Sequence, residues 1–548
     1  MNSLKPMLLL SLKSYDKSQL VKDVTAGIIV AIIALPLSIA LALASGVGPE
    51  AGIFTAIVAG FVISALGGSS VQIAGPTAAF ATIVAGIVAH DGMDGLIVAT
   101  ILAGIFLILM GLCHFGSLIK FIPFTITTGF TSGIAVTIVI GQLKDFFGLT
   151  YPTGVKPIET VEKFEAVINN FSTINMDAVI VGVVSLAILI IAPYIFKRIP
   201  GSLLAVIAGI LMVQFLPLKV NTIGNLYTIS NALPTLHFPS LSLNMIQNAL
   251  PNALTIAVLV AIESLLSCVV ADGMINGKHR SDMELVAQGA GNIASALFGG
   301  IPATGAIART AANIKNGGRT PIAGMVHSIT LVIVLVVLMP YAGMIPMPTI
   351  AAILFIVAYN MCQWRTFVNL VKTAPKSDVI VLVTSFVLTV IFDLVVAIEV
   401  GMVLACLLFI KRMSEETKVN GWTYVDDDTP DVDEHLQKLP LQIRVYEISG
   451  PLFFGAASVI EEIAVKDFTT CLVLRMRSVP ALDSTALNAL KDLVQVCESK
   501  GITIVFSHVN DQPMKVMEKA GFIELVGEEN FQPSISAALD RAEEIIHK

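Results

Sequence analysis

The sequence predicts a polytopic α-helical membrane protein followed by a small cytoplasmic α/β domain. Of its 548 residues, 55% are hydrophobic and 13% are charged, and the mean hydropathy is +0.84. Soluble proteins carry about 25% charged residues, so most of this chain must face lipid or other apolar segments. Two further observations support the prediction: a glycine- and proline-rich motif occurs twice in the apolar part, and the composition becomes charged after Arg412.

Four regions follow from these changes in composition. They are an N-terminal cytoplasmic segment, 1–22; a transmembrane domain, 23–412; an acidic linker, 413–438; and a C-terminal domain, 439–548. Apolar runs of about 15 to 22 residues follow one another in the second region, and a helix of that length crosses a hydrocarbon core of about 30 Å. We predict about fourteen such spans.

Basic residues mark one side of the membrane. Lys22 precedes the first span, Lys197–Arg198 and Lys278–Arg280 lie between spans, and Lys411–Arg412 follow the last one. The turns on the other side, such as 340–348, carry no Lys or Arg. By the positive-inside rule, both termini are cytoplasmic.

The repeated motif predicts two helices that begin inside the membrane. Ala59–Gly68 leads to Gly75-Pro76-Thr77-Ala78-Ala79, and Ala290–Gly300 leads to Pro302–Ala306. Hydrophobic segments that Gly and Pro interrupt in corresponding halves of a chain indicate an inverted-topology repeat and a transporter's substrate site. From Pro76 to Ala89 only about 14 residues, or about 21 Å of helix, are present, which is too short to cross.

Such half-helices form an anion site. Their first N–H groups are unpaired and their dipole ends are positive, and lipid cannot satisfy them. The predicted backbone donors are Thr77, Ala78, Ala79, Gly305, Ala306 and Ile307. The hydroxyls of Thr77 and Thr304 either contribute to the site or cap their own helices.

Two ionisable residues stand out in apolar surroundings. Glu263 lies inside the run Ala253–Val270, with Ser267 at i+4 on the same helix face, and leaving a carboxylate there costs at least about 2.5–3.5 kcal/mol. We interpret Glu263 and Ser267 as an ion or proton site; the alternative is that Glu263 pairs with a buried cation such as Arg309. Arg309, one turn past Gly305, either raises anion occupancy or anchors the cytoplasmic helix end.

Pro36 and Ser38 interrupt the first apolar run. They predict a kinked first span that contacts the site, and a simple proline kink is the alternative.

The C-terminal region has the pattern of a small α/β domain. Strand-like runs at 441–448, 471–476 and 502–508 are separated and followed by helical stretches at 484–500, 513–520 and 534–547. Ser484 and Thr485 stand at the start of the first of these helices. They either cap it or serve as a phosphorylation switch.

The sequence lacks the motifs that are typical of several classes of protein. The six cysteines have no metal-ligand spacing, and no nucleophile–base pair or Walker loop occurs. We therefore predict that the chain is no enzyme, holds no cofactor or structural metal, does not hydrolyse ATP and does not bind nucleic acid.

The motifs together resemble those of the sulfate permease (SulP) family of bacterial anion transporters, along nearly the whole chain. The matching stretches are Ala34–Leu37, Ser45–Gly52, Ala261–Leu266, Gly289–Asn292 and Gly299–Thr310, and the region around Asp483-Ser484-Thr485 is similar to the family's STAS domain. The resemblance implies two intertwined inverted repeats of seven spans, a core domain that moves against a gate domain, and homodimers in a bacterial inner membrane. It places the substrate at Pro36–Ser38, Thr77–Phe80, Glu263–Ser267 and Gly305–Arg309.

Three residues of this chain differ from those of the sodium-coupled members of the family, and these differences predict the coupling ion. Sodium-coupled bicarbonate members carry Asp, Thr and Thr where Glu263, Ser267 and Ile307 stand here, and members with Glu resemble proton-coupled carriers of dicarboxylates or sulfate. We expect proton symport of a small anion. The alternatives are a sodium ion at Glu263, Ser267 and Gly305, a nucleobase carrier, and a membrane anion sensor that signals through a cytoplasmic protein bound to STAS.

Overall fold

The structure is a computed structural model of the full chain. It describes residues 4–117, 122–152, 157–195, 200–239, 242–392, 394–422, 439–461, 463 and 468–547. The chain divides into two compact units, residues 1–402 and 403–548. The predicted basic pair at 197–198 and most of the predicted acidic linker, 423–438, lie outside the described residues.

Helices dominate the first unit. In chain order, the first helices are α1 Met7–Ser11, α2 Lys17–Ala44, α3 Pro49–Leu66, α4 Ala81–Leu112, α5 Phe124–Phe147, α6 Thr160–Asn169, α7 Met176–Ile195 and α8 Gly201–Phe215. Next come α9 Ile223–Leu226, α10 Leu243–Ile275, α11 Ser281–Leu297, α12 Ile307–Lys315, α13 Ile322–Ala342, α14 Met347–Cys362, α15 Trp364–Thr373, α16 Lys376–Ile391 and α17 Leu394–Glu416.

The structure contains many apolar helices, and the predicted number of fourteen spans stays a prediction. Eight helices in the described part of the chain are long and apolar enough to cross a membrane, by length and composition. The helices α8, α11, α12, α16 and α17 add five, and dividing α4 at Gly92 adds one more within the described residues. The added helices are short or polar; α11, for example, buries several polar side chains on one face.

Both predicted half-helices are short. A 3₁₀ turn at Ala78–Phe80 leads into α4, whose helical conformation stops at Gly92, where φ is 71° and ψ is −171°. Glycine suits this backbone because it lacks the Cβ that penalises positive φ. The second half-helix, α12, has 9 residues. Two-residue strands precede both helices: β1 Ala74–Gly75 and β2 Thr304–Gly305.

The membrane helices pack as two sets. The first set, called here the core set, contains α2, α3, α4, α10, α11, α12 and α13, and the second, called the gate set, contains α5, α7, α8, α14 and α16. Close packing inside the core set depends on small residues, since a Cβ on Gly104 of α4 would crowd the carbonyl oxygen of Gly289 in α11. The sets meet mainly through α2, α4 and the turn Ala78–Phe80, which contacts α5. The first half-helix therefore begins at the boundary between the sets.

The C-terminal domain is a five-stranded sheet with helices on both faces. Its strands are β3 Lys418–Trp422, β4 Ile443–Ser449, β5 Cys471–Ser478, β6 Thr503–Ser507 and β7 Phe531–Gln532, in spatial order 3-4-5-6-7. Within this sheet, β3 pairs antiparallel with β4, whereas β4–β5, β5–β6 and β6–β7 are parallel pairs. The helices are α18 Ser458–Glu461, α19 Ser484–Ser499, α20 Asp511–Lys519, α21 Phe522–Val526 and α22 Ile535–His547.

Alternate residues of β5 enter two separate hydrophobic cores. Leu472 and Leu474 join the core formed with α19, whereas Cys471 and Val473 join the core formed with α22. Burial raises the pKa of the Cys471 thiol to about 12, so this cysteine remains a protonated packing residue at neutral pH. The predicted strands and helices of this domain agree with the observed ones to within about two residues, a normal boundary uncertainty.

The sheet starts inside the stretch predicted as linker. Helix α17 continues to Glu416, and β3 then pairs with β4 from Lys418↔Ser449 to Trp422↔Val445. The charged composition after residue 412 suggested a solvated connector. An edge strand tolerates such composition, because one of its edges and part of its surface face solvent.

Candidate anion site

The two half-helices begin beside one short β-ladder. Ala74 pairs with Gly305 and Gly75 pairs with Thr304, antiparallel, and the N–H of Ala306 donates to the carbonyl oxygen of Ile73 at 2.9 Å. The ladder satisfies backbone groups where both chains are extended. It also fixes the starts of α4 and α12 next to each other, as the repeated motif predicts.

Glycine is required in this ladder because side chains cross it closely. A Cβ on Gly305 would overlap the side-chain amide of Gln72, and a Cβ on Gly75 would overlap Nη1 of Arg309. These two glycines therefore keep the space for a polar side chain from each half.

Replacing Gly305 by alanine should displace Gln72 and disrupt the crossing. Overpacking a buried site costs about 1–3 kcal/mol, so we expect a lower melting temperature and at least a tenfold loss of transport. Thermal unfolding of the purified protein and uptake into proteoliposomes measure both effects. Gly141→Ala is the matched control, since no atom lies within 4 Å of its Cβ position; equal behaviour of the two variants would contradict the expectation.

The first turns of the half-helices hold the backbone N–H groups that are predicted to bind the anion. An α-helix leaves its first N–H groups without intrahelical acceptors, which here are those of Ala78 and Ala79 in one half and Ile307 in the other. Ala306 differs from the prediction, because its N–H is occupied by Ile73. The Ile307 side chain is 38% exposed, so the start of α12 is open to a solute.

Arg309 adds a buried positive charge to this site. Its side chain is 3% exposed, and Nη2 donates to the carbonyl oxygen of Pro76 at 3.0 Å. No carboxylate lies within ion-pairing distance of Arg309 in the described part of the chain, and Nη1 has no hydrogen-bond partner there. The charge of Arg309 is thus directed to the first half-helix without being neutralised.

Glu263 lies on the other side of the same turn. The Thr77 hydroxyl donates to Glu263 Oε2 at 3.0 Å. Pro76 and Thr77 consequently lie between Arg309 and Glu263, and no ion pair joins those two charged residues among the described ones. This geometry does not support the alternative in which Glu263 merely pairs with Arg309.

Ser267 lies one turn after Glu263 on α10. Its side chain is 1% exposed, and its hydroxyl has no hydrogen-bond partner among the described residues. The hydroxyl of Ser264 on the same helix is also buried and unpaired in this part of the chain. Glu263 and Ser267 therefore offer oxygen atoms for a proton or a small cation.

Three of the predicted site residues differ from their expected roles or surroundings. Thr304 is fully buried and donates to the carbonyl oxygen of Val260 at 3.2 Å, so its hydroxyl ties β2 to α10 and does not cap α12. The Thr77 hydroxyl does not cap its own turn either. Phe80 has no exposed surface and packs in the protein interior.

Pro36 and Ser38 lie in an unbroken helix. Helix α2 continues from Lys17 to Ala44 through Pro36, and Ser38 is fully buried with an unpaired hydroxyl among the described groups. Helix α2 packs against α4 and α12, yet no hydrogen bond joins Ser38 to the other predicted residues in the described chain.

Helix α11 supplies polar residues that the sequence analysis missed. Glu284 accepts hydrogen bonds from the N–H groups of Gly68 and Ser69 (2.9 and 3.1 Å) and from the side chains of Gln72 and Gln288 (3.0 and 2.9 Å). These four donors satisfy a fully buried carboxylate. Glu284 thereby fixes the chain that leads into β1.

Asn292 does the same for the second half. Its side chain accepts from the N–H of Ala303 at 2.8 Å and donates to the carbonyl oxygen of Ala303 at 2.9 Å. Glu284, Gln288 and Asn292 are spaced by four residues, so they form one polar stripe along α11. That spacing on an otherwise apolar helix is the sequence signal that identifies them.

The STAS-like region corrects one prediction. Asp483, and not Ser484 or Thr485, caps α19: its carboxylate accepts from the N–H of Ala486 at 2.9 Å and from the N–H of Phe454 at 2.8 Å. Ser484 and Thr485 occupy the first helical positions and are exposed. A capping role is therefore excluded for both, and the phosphorylation switch stays a prediction.

Comparison with known proteins identifies the chain. Residues 20–385 match the profile of the sulfate permease family, and residues 437–538 match that of the STAS domain. The chain belongs to the sulfate permease family. This confirms the predicted family and the predicted fold class of a helical membrane protein with a STAS domain.

Two relatives of this SulP protein match over almost the full length. It is 38% identical over 530 residues to the putative sulfate transporter YvdB of Bacillus subtilis (strain 168), covering 95% of this chain and 97% of the relative. It is 31% identical over 538 residues to the bicarbonate transporter BicA of Picosynechococcus sp., covering 95% and 94%.

A solved structure shows the same fold. The murine Solute Carrier 26 family member A9 anion transporter, in the inward-facing state, matches with a TM-score of 0.88 and 19% identity over 99% of this chain and 94% of that chain. Together with the family, these comparisons establish that this SulP protein is a multi-pass membrane anion transporter and not an enzyme.

Proposed function

We propose that the protein is a secondary-active symporter that carries a small anion of the sulfate, bicarbonate or C4-dicarboxylate class together with protons. The observation that supports this most directly is the unneutralised Arg309 charge beside the starts of two half-helices. Helix N-termini and an arginine are both suited to oxyanions. The anion would bind between Thr77–Phe80 and Ala306–Arg309.

Glu263 would couple the anion to protons. It shares one turn of chain with the anion donors, since Thr77 contacts it directly. A proton on Glu263 removes a negative charge from the site when an anion enters. Glu263 would therefore bind its proton before or with the anion and release both on the cytoplasmic side.

Movement of the core set against the gate set would carry the anion across. The site is built almost wholly from core helices, and its first turn contacts α5 of the gate set. A relative displacement of the two sets would leave the site intact and change the side to which it opens, as in elevator-like alternating access.

The proposed membrane location and orientation follow from the distribution of basic residues along the chain. We propose a bacterial inner membrane location with both termini in the cytoplasm. The STAS domain would support a homodimer and offer a surface to a cytoplasmic protein.

A sodium-coupled bicarbonate transporter is the second candidate. The similarity to BicA of Picosynechococcus sp. favours it, as do the unpaired oxygen of Ser267 and the nearby carboxylate of Glu263. Sodium prefers oxygen ligands, as other hard cations do, and the Gly305 carbonyl would complete the set.

Uptake into proteoliposomes tests the proposal. Labelled sulfate, bicarbonate and succinate are supplied to the purified full-length protein, with pH and sodium gradients imposed separately. We expect accumulation of one of these anions that an inward proton gradient drives and that a sodium gradient at constant pH does not. Accumulation that follows sodium alone would favour the second candidate, and binding without flux would favour an anion sensor.

A further inference from the structure

His327 is a fully buried histidine in the core set. None of the functional roles predicted above involves it. It lies in α13 and is 0% exposed. The buried face of α13 contains Ala323, Gly324, Ser328 and Leu331 around it. The opposite face, with Ile329 and Ile333, is exposed. The imidazole therefore points into the protein and not towards lipid.

The neighbours of His327 on the helix show which space it enters. Ala323 packs against Gly27 of α2, whereas Ser328 donates to the carbonyl oxygen of Ala56 in α3 at 3.1 Å. At about 100° per residue, His327 lies between these two directions. Its ring consequently enters the interior between α2 and α3.

Arg309 enters the same interior from α12. Its Nη1 and Ala56 both lie within 4 Å of the position that a Cβ on Gly75 would take, and Ala56 is also the residue that Ser328 contacts. The guanidinium and the imidazole therefore enter the same interior, and no hydrogen bond joins them among the described residues.

Three nitrogen atoms in this space are buried and have no hydrogen-bond partner among the described residues. They are Nδ1 and Nε2 of His327 and Nη1 of Arg309. A buried polar atom without a partner costs about 1–3 kcal/mol, and proteins satisfy most such groups. A water with two to four polar partners is the usual solution when protein groups do not meet.

We propose that His327 is a positioning residue of the anion site and acts on Arg309 through a buried water. The water accepts a hydrogen bond from Nη1 of Arg309 and forms a second one with a ring nitrogen of His327. Nη2 is held by Pro76, so the water fixes the other branch of the guanidinium. This inference rests on the proposed function, since it assigns Arg309 to the anion.

An uncharged hydrogen-bond partner for Arg309 is compatible with anion binding at this site. A carboxylate beside Arg309 would compete with the transported anion for its charge. A neutral imidazole and a water orient the guanidinium and leave that charge available. His327 thus raises anion affinity without taking part in proton coupling.

The test compares uptake kinetics of full-length variants in proteoliposomes, with labelled sulfate, bicarbonate and succinate each supplied as probe. We expect His327→Leu to raise KM about tenfold and to change kcat less than threefold, with an unchanged melting temperature. His327→Gln, which keeps a polar atom near Nε2, should recover most of the affinity. Ser328→Ala is the matched control for packing and should leave KM unchanged.

A double-mutant cycle separates this role from a structural one. Arg309→Lys removes Nη1 and should itself raise KM; in that background His327→Leu should have no further effect. Additive effects, or a loss of stability in His327→Leu without any change of KM, would overturn the inference. If Arg309→Lys leaves KM unchanged, the proposed anion site itself fails, and the two failures are thereby distinguished.

Discussion

Replacing Arg309 by glutamine should lower kcat/KM for anion uptake about 10- to 100-fold, mainly through KM. A hydrogen bond to a charged group contributes about 1.5–3 kcal/mol, which corresponds to this range. Glutamine keeps a polar side chain in the space beside Gly75 but removes the positive charge from the starts of the half-helices. Initial uptake rates in proteoliposomes, over a range of anion concentrations, measure the change.

Arg319→Gln is the matched control for this prediction. The Arg319 guanidinium donates to the carbonyl oxygens of Ile314 and Gly318 (2.9 and 2.7 Å), at the far end of α12 from the site. We expect its kcat/KM to stay within threefold of the wild-type value. Equal effects of the two substitutions would show that Arg309 acts through general stability or net charge.

Replacing Glu263 by glutamine should abolish concentrative uptake and preserve anion exchange. The amide oxygen can still accept the hydrogen bond of Thr77, so the local geometry is retained, but an amide cannot bind and release a proton at neutral pH. An inward acid gradient should therefore no longer drive accumulation. Counterflow of labelled against unlabelled anion at equal pH should continue at a rate comparable to that of the wild type.

Glu50→Gln provides the comparison for a carboxylate outside the site. Glu50 lies in the first turn of α3 and is half-buried, and its loss should leave acid-driven accumulation intact. If Glu263→Gln still accumulates anion under an acid gradient, Glu263 is not the coupling residue. Loss of exchange as well would assign Glu263 to anion binding.

The half-helices could be predicted because their sequence departs from ordinary membrane helices. Gly75, Pro76 and Gly305 cannot continue a regular helix at low cost, and the remaining residues are too few to cross. Glu263 was evident for a similar reason, since a carboxylate in an apolar run is costly. Both signals are local in the chain.

The hydrogen bonds that hold the site could not be predicted in the same way. Glu284 contacts Gly68 and Gln72, more than two hundred residues away, and no local pattern indicates such partners. Asp483, Ser484 and Thr485 are all residue types that cap helices. The sequence alone therefore does not decide which of the three is the cap, because that depends on the backbone angles. The strand β3 was hidden for a comparable reason, because its pairing partner β4 follows a long charged segment.

The central claim is that two half-helix starts and Arg309 form one anion site. A cryo-electron microscopy map of the full-length protein with its transported anion, at a resolution that separates side chains, tests it most directly. We predict density for the anion within hydrogen-bonding distance of the backbone of Thr77–Phe80 and of Ile307–Arg309. Anion density elsewhere in the membrane domain, with this space unoccupied at saturating concentration, would contradict the account.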